Sequence, residues 1–343
     1  MKIGVLTGGG DVPGLNAAIR AVARRSYQDG WKVLAVKKGW AGLVEGEIEP
    51  LTLDKVSGIL HIGGTILGAS RTNPLRDQAA MQACFDNLQK FGIDALVAIG
   101  GDDTLSVALG LFEKGAKVVG VPKTMDNDVA ETEYCIGFDS ATNTVTDALD
   151  KLHTTASAHH RIIVVEVMGR HAGWVATVGG LAGGADLIMI PEFPKTLEEA
   201  AEHVSKRWDR GKTFSIIVVA EGAQIPGIVD DESVLAQRDA FGHVRLDRRG
   251  IGETVARELE RRTGFETRAV VLGHLQRGGS PTVFDRVLAT RLGVGAVQLV
   301  REERFGYMVA LKANKIVPVL LKDALAYTKT VDPELYQLAE TFY

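Results

Sequence analysis

Two cysteines, Cys84 and Cys135, are all that 343 residues contain, which leaves no material for a disulfide or zinc framework and fits a reducing compartment. Cys84 falls on the apolar side of a helical stretch with Met81, Phe85 and Leu88, where a thiol packs as a small hydrophobe rather than as a ligand. A large excess of either charge is also lacking. The formal net charge is −4, so no broad basic surface for nucleic acid is expected. No apolar run is long enough to span a bilayer, so no membrane partner is expected. The first residues already read as a strand rather than a signal peptide, which points to a cytoplasmic protein. The Gly-Lys-Ser/Thr phosphate loop and the protein-kinase signature set are both missing. Internal repeats and low-complexity tracts are missing as well.

What is present is an ordinary globular composition, 45% apolar and 24% charged, with length enough for two domains. Glycine is abundant at 39 residues, and many glycines follow apolar runs, as loops of α/β folds require. Ala95 to Asp128 organises the rest. Ala95–Ile99 reads as a buried strand, broken by Gly100-Gly101 and followed at once by Asp102-Asp103. Thr104–Lys114 has a helical pattern with Leu105, Ala108, Leu109 and Phe112 on one face, stopped by Gly115. Val118–Val121 is a second strand, running into Pro122-Lys123-Thr124-Met125-Asp126-Asn127-Asp128. A right-handed crossover of this length makes the strands parallel and puts both loops on one sheet edge. Asp102 and Asp103 are therefore expected to face Asp126 and Asp128, with Lys123 and Thr124 among them. Carboxylates so gathered repel one another unless a divalent cation or neighbouring cations offset the charge.

Other strand ends carry similar loops. Lys2–Thr7 runs into Gly8-Gly9-Gly10-Asp11-Val12-Pro13-Gly14 and a helix over Leu15–Gln28, a turn that presents backbone N–H groups and a helix N-terminus to an anion. Its glycines loosely resemble a dinucleotide fingerprint, but the strand ending near Val36 is followed by Lys37-Lys38 rather than an acid. A second glycine-rich loop, from Gly63 to Pro74, carries Arg71 among small residues that permit close approach to a phosphate. Further strands end at Met168-Gly169-Arg170-His171, Pro191-Glu192, Glu221-Gly222 and Gly273-His274-Leu275-Gln276-Arg277. Gln224–Arg249 reads as a long polar connection, and Thr196 with Glu199 as a capping box. Ligands of open parallel sheets bind at such carboxyl ends.

Phosphoryl transfer needs a phosphate cradle, a metal, a base for the attacking hydroxyl and cations for the developing charge. The first glycine loop, Gly9 and Gly10 included, offers the cradle. Asp102 suits Mg²⁺, partly through water. Asp126 is the candidate base, with Thr124 positioning it and Asp128 supporting it. Arg71 and Arg170 are candidates for stabilising charge. A nicotinamide-dependent oxidoreductase would account for the first glycine loop but not for the carboxylates and arginines.

Gly100-Gly101-Asp102, Pro122-x-Thr124-x-Asp126-Asn127-Asp128, Met168-Gly169-Arg170 and Gly273-His274-x-Gln276-Arg277-Gly278-Gly279 together resemble the 6-phosphofructokinase family, in order along the chain to about residue 300. The resemblance implies an α/β fold of two Rossmann-like three-layer domains with mostly parallel sheets and an active-site cleft between them. It assigns 1–138 plus 251–302 to the phosphoryl donor and 139–250 plus 303–343 to the sugar phosphate. It implies that Asp126 activates the 1-hydroxyl of fructose 6-phosphate, with Thr124, Asp128, Met168, Gly169, Arg170, Glu221 and His274 lining the sugar site. Arg161, Arg268 and Arg277 match cations for the sugar 6-phosphate. The first two reach across from a neighbouring subunit in a homodimer or homotetramer. Gly10, Arg71, Asp102 and Thr104 match donor-side positions.

Two residues depart from the ATP-using pattern: Asp103 and Lys123 stand where ATP-dependent members carry Gly. Asp103 adds bulk and negative charge where a nucleotide α-phosphate would pass, and Lys123 adds a cation suited to a shorter, more highly charged donor. The pair resembles pyrophosphate-dependent members, so the expected activity is reversible, Mg²⁺-dependent transfer from pyrophosphate to fructose 6-phosphate. An ATP-dependent or related sugar-phosphate kinase is the nearest alternative. Trp40 matches a position where ATP users often stack adenine on Tyr, and does not discriminate.

Overall fold

The structure, a computed structural model, describes residues 1–228, 236–238, 241–244, 246 and 249–343. Much of the polar connection expected over Gln224–Arg249 lies outside the described residues. The chain divides into two compact units, Met1–Ser140 with Arg277–Lys329, and Ala141–Gln276 with Thr330–Tyr343.

The first unit is built on a seven-stranded sheet. Its strands are β1 (Lys2–Thr7), β2 (Lys32–Val36), β3 (Ile48–Pro50), β4 (Ala95–Gly100), β5 (Val118–Pro122), β10 (Tyr307–Lys312) and β11 (Lys315–Leu320). The order is β11-β10-β5-β4-β1-β2-β3. The pairs from β10 through β2 are parallel, and only the edge strands β3 and β11 run antiparallel. β4 and β5 are buried at every position, which is why their sequences are continuous apolar runs rather than alternating ones. Connecting helices are α1 (Leu15–Gln28), α2 (Trp40–Glu45), α3 (Gln78–Phe91) and α4 (Asp102–Glu113). The α4 face differs from the expected one: Leu105, Val107, Ala108 and Leu111 are buried, while Phe112 is 37% exposed. The helix starts at Asp102, and its buried face is centred between Ala108 and Leu111, which leaves Phe112 at its margin.

Helix α5 (Phe138–His159) leads into the second unit, whose sheet is four parallel strands in the order β7-β8-β6-β9. These are β6 (Ile162–Val167), β7 (Leu187–Met189), β8 (Ser215–Ala220) and β9 (Thr267–Val271). Around them lie α6 (Trp174–Ala182), α7 (Leu197–Asp209) and α8 (Ile251–Thr263). The core joins Ile162, Val164, Ile217 and Val219 of the sheet to Leu197 and Val204 of α7 and Val255 and Leu259 of α8. Burial of each such side chain contributes ~1.5–3 kcal/mol. The Thr196–Glu199 capping box forms as expected at the start of α7.

The domain boundaries differ from the expected ones. Residues 251–276 belong to the second unit, because β9 pairs with β6 and α8 packs into that core. Residues 303–329 belong to the first, because β10 pairs with β5 and β11 closes a hairpin on β10. Helix α9 (Val283–Arg301) also lies in the first unit, followed by the short α10 (Leu321–Ala324). The final helix, α11 (Pro333–Glu340), returns to the second unit, where Tyr336 Oη donates to the Ile188 carbonyl at 2.8 Å and Tyr343 Oη accepts the Ile188 N–H at 3.0 Å. Part of the tail thus packs down, although Phe342 stays 67% exposed.

A buried carboxylate locks the entry of α5 to α9. Asp285 is fully buried and accepts from Gly137 N, Ser140 N and Ser140 Oγ at 2.8, 2.8 and 2.7 Å. Burial pushes its pKa up to about 6 from 3.8, against the bonds from Ser140 and Gly137, which lower it. The folded protein therefore binds more protons than the unfolded chain between these values, and this group's contribution to stability falls as pH rises through the window. At 1.36 kcal/mol per pH decade the loss is on the order of 3 kcal/mol. Asp285→Asn cannot titrate. In urea unfolding, the stability of the wild type minus that of the variant is expected to shrink by that order between pH 4 and pH 7. A difference that stays constant would show that Asp285 ionises normally.

Candidate functional site

In the first unit, register places the ends of β1, β4 and β5 at one edge, with Thr7 opposite Ile99 and Gly100 opposite Pro122. The loop after β1 approaches the first turn of α4 closely. A Cβ at Gly8 would lie 2.4 Å from Thr104 Oγ1, so only glycine fits there. Gly9 N donates to the Ser70 carbonyl at 3.3 Å, and Thr7 Oγ1 donates to the Gly68 carbonyl at 2.9 Å. These bonds pin the first glycine loop to the second. Between them is a depression of about 470 Å³ lined by Gly9, Gly10, Asp11, Thr65, Ala69, Ser70 and Arg71.

Lys123 points under this loop. It is 2% exposed, and its Nζ donates to the Gly10 carbonyl at 2.6 Å. Asp102 and Asp103 lie half-buried in the first turn of α4, where the positive end of the helix dipole favours negative charge. Thr104 behind them is buried. Trp40 is 1% exposed at the start of α2, so it presents no face to a ligand.

The turn after β5 gathers the candidate base. Asp126 is 5% exposed; its N–H donates to Thr124 Oγ1 at 3.1 Å, and Thr124 Oγ1 donates back to Asp126 Oδ2 at 3.3 Å. Asp126 Oδ1 has no hydrogen-bond partner among the described residues. A buried carboxylate oxygen in that state needs a donor, and a substrate hydroxyl would supply one. Asp128 follows, half-buried, with its carbonyl accepting Lys329 N at 2.8 Å.

In the second unit, the ends of β6, β8 and β9 bring Met168–Arg170, Glu221 and Gly273–His274 to one edge. Glu221 is buried; its Oε1 accepts from Gly169 N at 3.3 Å and Arg170 N at 3.1 Å. Arg170 sits at φ 51°, in the left-handed region, and these bonds help hold it there. Its carbonyl would lie 1.7 Å from a Cβ at Gly222, so the loop closes on Glu221 only because residue 222 is glycine. A pocket of about 220 Å³ is lined by Glu166, Val167, Met168, Glu221, Val271, Gly273 and His274.

Two of the arginines matched to the sugar 6-phosphate, the pair expected to serve a neighbouring subunit, lie away from this edge. Arg161 and Arg268 flank Glu266, with Nη2–Oε1 distances of 3.2 and 2.7 Å. They stand at the opposite end of the sheet from Met168: at ~3.3 Å per residue, the length of β6 separates Arg161 from Met168 by roughly 20 Å. Arg277, matched to the same phosphate, belongs to the first unit, where its Nη1 donates to the Asp11 carbonyl at 3.2 Å beside the glycine loop. Two residues escaped sequence reasoning. Thr65 lines the depression between the two glycine loops. Glu166 lines the sugar-side pocket, with its Oε2 accepting Gly252 N at 2.7 Å. Burial pushes the Glu166 pKa up, against that bond, which lowers it. An acid inside the run Ile162-Ile163-Val164-Val165-Glu166-Val167 was the available signal.

Glycine loops at parallel-strand ends, buried carboxylates and separate arginine-bearing loops are the equipment of an enzyme that moves phosphoryl groups. The chain belongs to the phosphofructokinase family, whose profile matches residues 2–300. That membership accounts for the first glycine loop without a nicotinamide. The chain is 50% identical over 343 residues to a pyrophosphate–fructose 6-phosphate 1-phosphotransferase of Dictyoglomus thermophilum, covering 100% of this chain and 99% of the relative. It is 48% identical over 344 residues to ATP-dependent 6-phosphofructokinase 2 of Streptomyces coelicolor, covering 100% of both. Phosphofructokinase from Saccharomyces cerevisiae superposes with a TM-score of 0.81 at 34% identity, over 95% of this chain and 45% of the yeast chain.

Proposed function

We propose that this protein is a pyrophosphate:fructose-6-phosphate 1-phosphotransferase. The observation that carries the donor assignment is Lys123, whose buried ammonium reaches the Gly10 carbonyl beneath the glycine loop while Asp103 occupies the first turn of α4. In the reaction, the 1-hydroxyl oxygen attacks the terminal phosphorus of pyrophosphate, the bridging P–O bond breaks and phosphate leaves. Asp126 takes the hydroxyl proton, with Thr124 holding Oδ2 so that Oδ1 meets the hydroxyl and Asp128 adding negative charge that favours proton uptake. The glycine loop at Gly9 and Gly10, with Lys123, binds the donor, and Arg71 and Arg170 offset charge on the transferred group. Arg277, beside Asp11, is assigned to the sugar 6-phosphate. Met168, Gly169, Glu221 and His274 bind the sugar.

Asp102 fits Mg²⁺. A half-buried carboxylate in the first turn of α4, on the helix that packs against the first glycine loop, suits an ion that retains part of its hydration and takes phosphate oxygens. Bound there, Mg²⁺ would neutralise charge on pyrophosphate. Arg161 and Arg268, far from Met168 within their own sheet, are assigned to the sugar 6-phosphate of a neighbouring copy in a homodimer or homotetramer. The location that fits this chemistry is the cytoplasm. Among the described residues, no helix is long and apolar enough to cross a membrane.

The ATP-dependent relative at 48% identity keeps an ATP-using kinase as the second reading. Initial rates with fructose 6-phosphate and Mg²⁺, with pyrophosphate or ATP as donor, decide between them. A preference for pyrophosphate of at least tenfold in kcat/KM is expected. A preference for ATP would keep the role of Asp126 and remove the donor assignment.

A further inference from the structure

The turn that carries Asp126 is held from outside. Asn127, next in the chain, sits at φ 52°. Its Oδ1 accepts Cys135 N at 2.9 Å, and its Nδ2 donates to the Glu133 carbonyl at 3.2 Å. Lys329, from the last segment of the first unit, donates Nζ to that same carbonyl at 3.0 Å and to the Thr132 carbonyl at 2.7 Å. Its own N–H donates to the Asp128 carbonyl at 2.8 Å, next to an antiparallel bridge between Val129 and Thr328. The far side of the clasp is fixed to the central sheet. Glu133 N donates to the Leu311 carbonyl at 2.9 Å, Leu311 N to Thr132 Oγ1 at 3.0 Å, and Ala313 N to Glu133 Oε1 at 2.7 Å.

Lys329 thus ties both sides of the Asp126 turn to rigid structure. Burial lowers its pKa, while Cys135, Asp128 and Glu133 raise it. A desolvated ammonium is a poor source of stability, since an apolar side chain of similar size avoids the desolvation penalty altogether. What the ammonium supplies is geometry: two carbonyls drawn to one point, one of which orients Asn127.

We propose that Lys329 is a positioning residue for phosphoryl transfer, fixing Asn127 through the Glu133 carbonyl and Asp128 through its own amide, so that Asp126 meets the sugar hydroxyl in one geometry. The inference rests on the function proposed above. A displacement of ~1 Å at a reacting group can lower a rate about 100-fold without altering substrate affinity.

The test is steady-state kinetics with fructose 6-phosphate, pyrophosphate and Mg²⁺ on Lys329→Met and Lys329→Arg, with thermal unfolding alongside. For Lys329→Met, kcat is expected to fall ~10- to 100-fold while KM for either substrate moves less than ~3-fold. Lys329→Arg keeps the cation and should recover part of kcat. An unchanged kcat in a folded Met variant would overturn the proposal, and so would a rise in KM that carries the whole effect. If neither variant folds, amide exchange on the wild type decides. Slow exchange at Cys135 and Lys329 supports a closed clasp, and exchange at the unprotected rate overturns it. A wild type with no transferase activity would instead remove the functional reading, which the same assays show separately.

Discussion

Asp126→Asn is expected to lower kcat for phosphoryl transfer by ~10³-fold, within the 10²–10⁴ range of a positioned general base. That corresponds to ~4 kcal/mol of transition-state stabilisation. KM for fructose 6-phosphate should move by no more than a few fold. The structure explains why the effect should be so confined. Asparagine is isosteric, and its amide oxygen can take the place of Oδ2, keeping the 3.3 Å bond from Thr124 Oγ1, which itself accepts the residue's backbone N–H at 3.1 Å. Its NH₂ group then stands at Oδ1, the oxygen with no partner among the described residues. An NH₂ there can donate to the hydroxyl oxygen but cannot accept its proton. The loss therefore falls on the proton-transfer step, while the second-unit residues proposed to bind the sugar are untouched. Steady-state kinetics with saturating pyrophosphate checks this, and a variant with near-normal kcat would take the base role away from Asp126.

How far the chain was legible from sequence depends on what kind of signal each element carries. β1 and α1 fall within the expected bounds because a short β-branched run, a glycine turn and a 3.6-residue pattern all agree there. The hairpin of β10 and β11 was missed. Its two-residue turn is Ala313-Asn314, with φ of 46° and 57°, rather than the familiar Asn-Gly, and Pro318 within β11 argued against a strand. Pro318 is tolerated because β11 is the sheet's edge. That miss also displaced the domain boundary, since β10 is what carries the chain back to the first sheet. At the site, Thr124, Asp126, Lys123 and Asp102 were legible because strand ends announce them. Glu166 was not, because an acid inside a buried strand looks like an exception until its partner, Gly252 N at 2.7 Å, is known. Lys329 is further from any motif, and only the folded chain brings it to Thr132, Glu133 and Asp128.

Donor choice is where the second large effect is expected. Relatives of either donor type share about half of this sequence, so overall identity leaves the choice to particular residues. At a separation of ~4 Å and an effective dielectric constant of ~20, a carboxylate facing a nucleotide α-phosphate meets a repulsion of about 4 kcal/mol. Asp103→Gly removes that charge and its bulk from the first turn of α4, and ATP kcat/KM is expected to rise on the order of 10²- to 10³-fold. Lys123→Gly acts differently. It takes away the buried ammonium that bonds the Gly10 carbonyl at 2.6 Å, so pyrophosphate kcat/KM should fall while Asp103 still repels ATP. The loop that Lys123 supports packs on Thr104, next in the chain to Asp103, and the two changes should therefore couple by ~1 kcal/mol or more in a double-mutant cycle on ATP kcat/KM. With both replaced, the site regains the glycines of ATP users, and the ATP gain should exceed the sum of the single effects. Strict additivity would mean that the two residues act on the donor separately. If Asp103→Gly leaves ATP use unchanged, the carboxylate does not exclude the nucleotide, and selection rests on Lys123 and its attraction for the shorter, more densely charged pyrophosphate.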